Sequence, residues 1–319
     1  MLRGLFVALL ILLLTSSTAF AQPTAPPKVL ERAPYSEAVH IGSILDSEIM
    51  EASGLAPSQL NNEVLWIIND SGNPPVLYAV DSTGWVLGDF RLQGLKNKDW
   101  EDLASFRING VPHIMIADVG DNRAVRHTCS LIVIREPDIN SSNKTRSIPI
   151  SGMMEFRYED GPRDCESVAV DTIRNKVMLL SKRTQPPVIY ELPLIPEGTD
   201  DIMVAKRIAE LKNIPHPTKE DLKARYGKYR SQPTAMDISS DGMNLVVLTY
   251  KHAYLYTRSA GQDWSDAVSK DPECIILPLP DTGVLSIREA LCFAGRSMQL
   301  FVTSELTPAP IYRLDPLLN

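Results

Sequence analysis

The sequence predicts an all-β protein, a single β-propeller of five four-stranded blades that is closed by a strand near the N-terminus. Three observations lead to this prediction: short apolar runs recur between turn residues, a four-residue phrase returns five times, and the last repeat is one strand short. Short apolar runs bounded by Gly, Pro, Asn or Asp are typical of β-strands. A repeated unit of four such strands is typical of a propeller blade.

Residues 1–21 are expected to form a secretory signal peptide. Arg3 supplies a positive charge, residues 5–14 form an unbroken apolar run, and Ala19-Phe20-Ala21 fits a cleavage site. The apolar run is shorter than the roughly 20 residues that a membrane-spanning helix needs, and no later run approaches that length. We therefore expect an exported protein, periplasmic or secreted, without a membrane span.

Residues 22–37 are expected to form a proline-containing linker, and residues 38–319 to form the propeller domain. The chain is acidic, with 39 Asp and Glu against 32 Lys and Arg and a formal net charge of −7. This charge argues against binding to the phosphate backbone of nucleic acids. The four cysteines permit disulfides in an exported protein, and several pairings stay open.

The repeated phrase marks the first strand of each predicted blade. A turn, a strongly apolar strand, a second turn and a third strand follow each copy. A two-sheet sandwich would not restart five times with the same phrase, so the propeller is the better interpretation. Two intervals between copies, of 65 and 67 residues, are long enough to hide an irregular sheet, so six blades stay open as an alternative. The copies are Ser53-Gly54-Leu55-Ala56, Glu101-Asp102-Leu103-Ala104, Glu166-Ser167-Val168-Ala169, Pro233-Thr234-Ala235-Met236 and Glu289-Ala290-Leu291-Cys292.

The two ends of the chain are predicted to meet in one blade. The last copy starts at Glu289 and leaves 30 residues, which is enough for three strands but not for four. Residues 38–45 can supply the missing outer strand, and their pairing would remove exposed sheet edges. One short helix is predicted at residues 218–226, between Pro217 and Gly227, as a surface insertion.

Polar residues gather on one predicted face of the propeller. The loops before the first strand and after the second strand of a blade meet at the same face. These loops carry a concentrated set of polar residues, whereas the opposite face receives ordinary hairpin turns such as Ser240-Asp241-Gly242. The polar loops are residues 99–102, 163–166 and 288–289 before the first strand, and 69–72, 118–122, 181–183 and 304–305 after the second.

Three carboxylates at equivalent repeat positions predict a cation site at this face. Glu101, Glu166 and Glu289 would repel one another unless they were protonated, paired or bound to a cation. Calcium takes six to eight oxygen ligands, so we predict a calcium site that Asn69, Asp118 and Asp121 complete. In the alternative interpretation, the Asn and Asp residues only form turns, and Glu101 and Glu166 pair with Lys182, Arg183 or Arg163.

Five further residues are candidates for contacts to a ligand. Asp70, Trp100 and Asn122 lie in the polar loops, as do Lys182 and Arg183. Trp100 could line a pocket, although packing between blades is the competing role. The sequence contains no G-x-S-x-G, H-E-x-x-H, P-loop or G-x-G-x-x-G motif. His127 could act as a general base, and a surface position is its competing interpretation.

The motifs also resemble a known group of proteins. Asn69-Asp70-Ser71-Gly72, Asp99-Trp100-Glu101-Asp102-Leu103-Ala104 and Asp118-Val119-Gly120-Asp121-Asn122, in this order, resemble mostly uncharacterised secreted bacterial β-propeller proteins. The resemblance covers most of the predicted domain. More loosely, the arrangement is similar to the calcium-dependent propellers of the gluconolactonase and paraoxonase type and to the esterase-like phytase group. These families imply a central calcium and hydrolysis of lactones or esters, but none of their catalytic signatures maps onto residues of this chain.

Two functions are therefore expected for the polar face. The first is binding of a ligand or partner, which could be a small molecule, a peptide or a cell-envelope component, by a monomeric protein. The alternative is a calcium-dependent hydrolase of lactones, esters or phosphoesters. An enzyme would need a polarising metal and a base in one pocket, whereas a binding protein needs only the contacts.

Overall fold

The structure is a computed structural model that describes residues 34–140, 147–195, 202–224, 226–278 and 287–317. The predicted signal peptide and most of the predicted linker lie outside the described residues. The regular secondary structure of the described part is almost entirely β-strand, with one short helix, α1 (Trp264–Ala267), and 3-10 turns at Asp221–Lys223 and Gly227–Tyr229. No helix within the described ranges has both the length and the apolar character needed to cross a membrane.

The strands follow one another along the chain with short connections. The first ten are β1 (Val39–Ile44), β2 (Ala52–Pro57), β3 (Val64–Asn69), β4 (Val76–Asp81), β5 (Val86–Leu92), β6 (Trp100–Ile108), β7 (Val111–Asp118), β8 (Cys129–Arg135), β9 (Ser147–Ile148) and β10 (Gly152–Tyr158). The next six are β11 (Cys165–Asp171), β12 (Lys176–Ser181), β13 (Val188–Pro193), β14 (Met203–Glu210), β15 (Pro233–Ile238) and β16 (Asn244–Thr249). The last five are β17 (His252–Thr257), β18 (Glu273–Ile276), β19 (Arg288–Phe293), β20 (Leu300–Ser304) and β21 (Ala309–Leu314).

Most neighbouring strands pair antiparallel, and β5 pairs with β9 in parallel. One sheet has the order β2-β3-β4-β5-β9, another β15-β16-β17-β18, and a third β19-β20-β21-β1. Strands β6-β7-β8-β10 and β11-β12-β13-β14 belong to a single eight-stranded sheet because their outer strands, β10 and β14, pair in parallel. Each group of strands therefore begins with the segment that the repeated phrase predicts as a first strand.

The first strands lie side by side around a common centre. Strands β2, β6, β11, β15 and β19 each pack against the next, and β19 packs against β2. Hydrophobic side chains fill the spaces between successive groups of strands; for example, Trp66 and Trp100 lie in the core between β2–β5 and β6–β8. Further cores of this kind separate the other neighbouring groups. This arrangement of sheets around inner strands is that of a β-propeller.

The N-terminal strand pairs with the C-terminal one. Strand β1 runs antiparallel to β21, in a register from Val39 opposite Arg313 to Ile44 opposite Ala309. Tyr35, within the predicted linker, is buried and donates a hydrogen bond of 2.6 Å to the carbonyl of Met298. These contacts tie the start of the described chain to its end.

The predicted helix at residues 218–226 is replaced by two 3-10 turns. Asp221 accepts hydrogen bonds from the backbone and hydroxyl of Thr218, and it also contacts Arg230 and Lys251 at 2.7 and 2.9 Å. A side chain at Gly227 would collide with the backbone of Asp221, so the chain folds tightly back on itself there. These tertiary contacts outweigh the helical preference of the segment. The four cysteines are free thiols in this structure.

Candidate functional site

A β-bulge interrupts the first strand of every group at the same place. In each case one residue has no partner on the second strand, and the register on either side shifts by one. We call these residues the bulge positions, and they are all buried. In the fourth repeat the phrase was predicted to start at Pro233, whereas the bulge lies at Thr234. The bulge positions are Ser53, Glu101, Glu166, Thr234 and Glu289.

A second set of equivalent residues directly follows the second strand of each group. We call these the rim positions. In four of the five, the backbone N–H donates to the carbonyl of the residue two before the bulge position. For example, the N–H of Lys182 donates to Asp164 at 3.0 Å. This bond holds each of these rim residues beside its bulge residue. The rim positions are Asp70, Val119, Lys182, Tyr250 and Glu305.

Three carboxylates on one side of the centre form what we call the acidic cluster. Asp70, Asp99 and Glu101 each place a carboxylate oxygen within 4.8 Å of the others. Gly120 permits this approach, because a Cβ there would collide with the carboxyl groups of Glu101 and Asp99. The cluster therefore combines a rim residue, a bulge residue and a loop residue from the first two groups of strands.

The surroundings of the acidic cluster disfavour the ionised form of its carboxyl groups. Burial, followed by the charge of Glu166, raises the pKa of Glu101 well above its ordinary value. Burial also raises the pKa of Asp70 to about 6, and it raises the pKa of Asp99. Glu101 is only 3% exposed, and within the described ranges no hydrogen bond or ion pair reaches its carboxylate. An unpaired carboxylate at such depth is costly.

On the other side of the centre, a buried amine compensates two carboxylates. We call Lys182, Glu166, Glu289 and Tyr250 the lysine cluster. Lys182 Nζ lies 2.7 Å from Glu166 Oε2 and 3.7 Å from Glu289 Oε1. The hydroxyl of Tyr250 donates to Glu289 Oε1 at 2.5 Å, and its ring centroid lies 5.3 Å from Lys182 Nζ.

The amine of Lys182 stays charged in this environment. Burial lowers its pKa, but the charges of Glu166 and Glu289 outweigh burial and raise the pKa above its ordinary value. A protonated amine is not a nucleophile, so Lys182 is unsuited to Schiff-base chemistry. Beside this cluster, burial and the neighbouring Glu289 raise the pKa of Glu305 to about 9, which keeps Glu305 protonated near neutral pH.

Three of the predicted metal ligands have protein partners of their own. Asn69 accepts from the backbone of Glu51 at 3.2 Å and donates to the carbonyl of Glu48 at 2.6 Å. Asp118 forms a 2.6 Å ion pair with Arg126. Asp121 accepts from the backbone N–H of Arg126 at 2.7 Å. These are the turn and ion-pair contacts of the alternative interpretation.

The structure thus divides the predicted metal and ligand residues between the acidic cluster, the lysine cluster and separate contacts. Of the three predicted glutamates, only Glu101 belongs to the acidic cluster, together with Asp70, which was predicted as a ligand contact. Glu166 and Glu289 lie with Lys182, which the sequence named as an alternative partner of Glu166 but not of Glu289.

The remaining ligand candidates also differ in their surroundings. Trp100 is fully buried between the first two groups of strands, which is the packing role and leaves no surface for a ligand. Asn122 accepts a hydrogen bond from Arg183, which also pairs with Asp164. His127 is exposed on the loop after β7, as its competing interpretation has it.

Three residues of the site were not singled out from the sequence. Asp99 lies two residues before Glu101, in a motif from which only Trp100 and Glu101 were selected. Glu305 lies in the predicted polar loop 304–305 but was not selected, and Tyr250 was missed because no polar loop was assigned after the second strand of the fourth repeat. Aligning the ends of the second strands would have placed both in one column with Asp70 and Lys182.

Comparison with known proteins finds similarity only at the level of structure. No protein-family model and no curated protein matches the chain. A luciferin-regenerating enzyme is 11% identical with a TM-score of 0.43, over 88% of this chain and 96% of that one. The PQQ-bound aldose sugar dehydrogenase of Streptomyces coelicolor is 11% identical with a TM-score of 0.45, over 91% and 99%. A chain of a nidogen/laminin complex is 12% identical with a TM-score of 0.45, over 80% of this chain and 73% of that one. Similarities this weak say nothing about what the chain binds.

Proposed function

We propose that this chain is an exported, five-bladed β-propeller, closed by β1, that binds a calcium ion at the acidic cluster and uses the ion to hold a ligand. One observation carries the proposal: Glu101 is a buried carboxylate without a partner among the described residues, and it meets two further carboxylates. Such a group needs a proton or a cation. Oxygen ligands from carboxylates are the set that calcium prefers.

The spacing of the cluster suits a single ion. Calcium–oxygen distances of about 2.3–2.6 Å allow two ligands on opposite sides of one ion to be roughly 5 Å apart. The oxygens of Asp70, Asp99 and Glu101 lie within 4.8 Å of one another. Gly120 leaves the carboxylates room to converge, since any side chain there would push them apart.

The lysine cluster supports the assignment by contrast. Lys182 supplies a positive charge to Glu166 and Glu289, and this charge lowers the pKa of Glu166, although burial still raises that pKa to about 8. The acidic cluster has no comparable amine or guanidinium in contact with Glu101 within the described ranges. A divalent ion would give this side of the centre the compensation that Lys182 gives the other.

Thermal melting in calcium and in chelator tests the cation site. Binding to the folded state should raise stability by about 2.7 kcal/mol at a hundredfold excess over the dissociation constant. Glu101→Gln should abolish most of this shift. Glu136→Gln is the control, because Glu136 is a buried carboxylate that is bonded to Trp66 and to the backbone of Gln59. This variant should melt lower yet keep the calcium shift. Identical melting of the wild-type protein in calcium and chelator would contradict the proposal.

A calcium-dependent hydrolase of lactones, esters or phosphoesters is the second candidate function. One observation favours it: Glu305, with a pKa of about 9, is a protonated acid at the rim of the site. A screen with these substrate classes, with and without calcium, separates the two functions. A hydrolase should lose its turnover in Glu305→Gln while its calcium shift persists. Absence of turnover in all three classes would leave binding as the function.

A further inference from the structure

Arg183 is held rigidly at the edge of the site. It follows Lys182 in the loop after β12, and its Nε lies 2.5 Å from Asp164 Oδ2. Its Nη2 donates to the side-chain oxygen of Asn122. The side chain is 40% exposed, although Asp164 beneath it is buried. Two polar partners therefore orient a guanidinium that still faces solvent.

Both partners of Arg183 lie along one edge of its guanidinium. Nη2 donates to Asn122, and Nε is in ion-pair contact with Asp164 Oδ2 without hydrogen-bonding to it, whereas Nη1 has no partner among the described residues. Nη1 and the second hydrogen of Nη2 form a free end-on edge with parallel N–H groups. Such an edge matches two oxygens of a carboxylate or phosphate.

The loop that contains Asn122 connects Arg183 with the acidic cluster. Asp164 also accepts a 3.0 Å hydrogen bond from the backbone of Asp121. Asp121 and Asn122 directly follow Gly120, whose backbone abuts the carboxyl groups of Glu101 and Asp99. The loop that permits the acidic cluster to form thus also positions the arginine.

An ion in the acidic cluster would keep room for a ligand. Three carboxylates supply only part of the six to eight oxygens that calcium takes, so water or a ligand must supply the rest. A negatively charged ligand oxygen would meet a divalent ion on one side and a guanidinium on the other. A neutral ligand would leave the charge of Arg183 without a new partner.

We propose that the ligand carries an oxyanion, a carboxylate or a phosphate ester, that bridges the bound cation and the free edge of Arg183. This inference rests on the proposed function and adds to it the chemical class of the ligand. Arg183 acts as a ligand-binding residue, and Asn122 and Asp164 are its positioning residues. The carboxylate and the phosphate are two sources of the same chemistry, and direct binding measurements distinguish them.

Isothermal titration of the calcium-loaded protein with three matched sugars tests the proposal. Galacturonate, galactose 6-phosphate and galactose share a ring and differ at the exocyclic carbon. This carbon is a carboxylate in galacturonate, carries a phosphate ester in galactose 6-phosphate and carries a hydroxyl in galactose. We expect at least one of the two acids to bind, and galactose to bind at least tenfold more weakly. Equal binding of galactose and the acids would overturn the proposal, as would no binding of either acid.

Variants of Arg183 separate the ligand contact from the cation site. Arg183→Gln should weaken binding of the acid at least tenfold, and Arg183→Lys should weaken it too, because lysine keeps the charge but loses the fork. Arg183→Lys also guards against misfolding, since an amine can still pair with buried Asp164. The control is Arg174→Gln: Arg174 has a side chain 31% exposed and pairs with Asp263 and the carbonyl of Gly261 on another loop. This variant should bind like the wild type.

A calcium titration without sugar keeps the two proposals apart. Wild type, Arg183→Gln and Arg183→Lys should bind calcium alike, within about twofold. If calcium does not bind at all, the proposed function fails. If calcium binds and the acids bind equally well to wild type and both Arg183 variants, the function stands and the oxyanion inference fails.

Discussion

The acidic cluster and the lysine cluster occupy two sides of one centre and solve the same problem differently. Both bury carboxylates at bulge positions, where the inner strands begin. The lysine cluster contains an amine 2.7 Å from Glu166, whereas the three carboxylates of the acidic cluster feel the charges of Lys182 and Arg126 only without an ion pair among the described residues. The comparison teaches that burial of acid alone does not predict a metal site. The proposed calcium site rests on the lack of a paired protein cation beside the acid.

The largest effect should come from removing the built-in cation. Lys182→Met leaves Glu166 and Glu289 buried without compensation, which typically costs about 3–5 kcal/mol. Urea unfolding in chelator measures this loss. Lys176→Met is the control, because Lys176 pairs with Glu191 at 2.6 Å but is 38% exposed, and exposed pairs contribute at most about 1 kcal/mol. A loss as small as that of the control would show that Lys182 is not what stabilises its side of the centre.

A second effect should appear when pH is varied without calcium. Burial raises the pKa of Asp70 to about 6, that of Glu166 to about 8 and that of Glu305 to about 9, so the folded protein holds protons that the unfolded chain releases above about pH 4. Stability should therefore fall as pH rises through these values and level off above them. Urea unfolding from about pH 5 to pH 10 checks the slope.

Two comparisons sharpen this pH dependence. Glu305→Gln should flatten the upper part of the slope, because the group that titrates near pH 9 is gone. Saturating calcium should flatten the part that Asp70 contributes, since the ion favours its charged form. If chelated protein became more stable between about pH 5 and pH 9, the assignment of protonated acids to the site would be wrong.

The smallest effect should come from crowding the acidic cluster. Gly120→Ala places a methyl group against the carboxyl groups of Glu101 and Asp99, which must then separate. Calcium affinity should fall about tenfold, equivalent to about 1.4 kcal/mol, as measured by calorimetry. Gly152→Ala is a control for the general cost of the substitution, because a Cβ at Gly152 meets open space and its backbone does not adopt a positive φ. Equal affinity in wild type and Gly120→Ala would place the ion elsewhere.

Much of the fold could be predicted because it repeats. The phrases at Ser53, Glu101, Glu166 and Glu289 coincide with the bulge positions, since burial at an inner strand imposes the same small and apolar residues each time. The fourth phrase was one residue out of register because Thr234 offers no carboxylate to align. The prediction of a helix at residues 218–226 was wrong because Asp221 has partners that are distant in sequence. Local helix propensity contains no information about a partner such as Lys251.

The site could be predicted only as a region. Loop positions correctly brought polar residues of different repeats to one side of the propeller. Which carboxylate meets Lys182 and which meets Asp99 depends on the order of the groups around the centre and on side-chain direction. The sequence of a single repeat determines neither the order of the groups around the centre nor the direction of a side chain. Asn69 and Asp118 illustrate this, because their motifs suit a metal shell and a turn equally well.

The parallel pairing of β10 with β14 has a consequence for the motion of the molecule. Residues 156–158 and 203–205 join two groups of strands by main-chain hydrogen bonds at their outer edges. An outward fluctuation of either edge must break bonds that belong to the other, so the two groups open together or stay closed together. The loops that carry Asp99, Gly120, Asp164 and Lys182 all leave these two groups. Several residues of both clusters are therefore positioned by loops of two groups of strands that open and close as one cooperative unit.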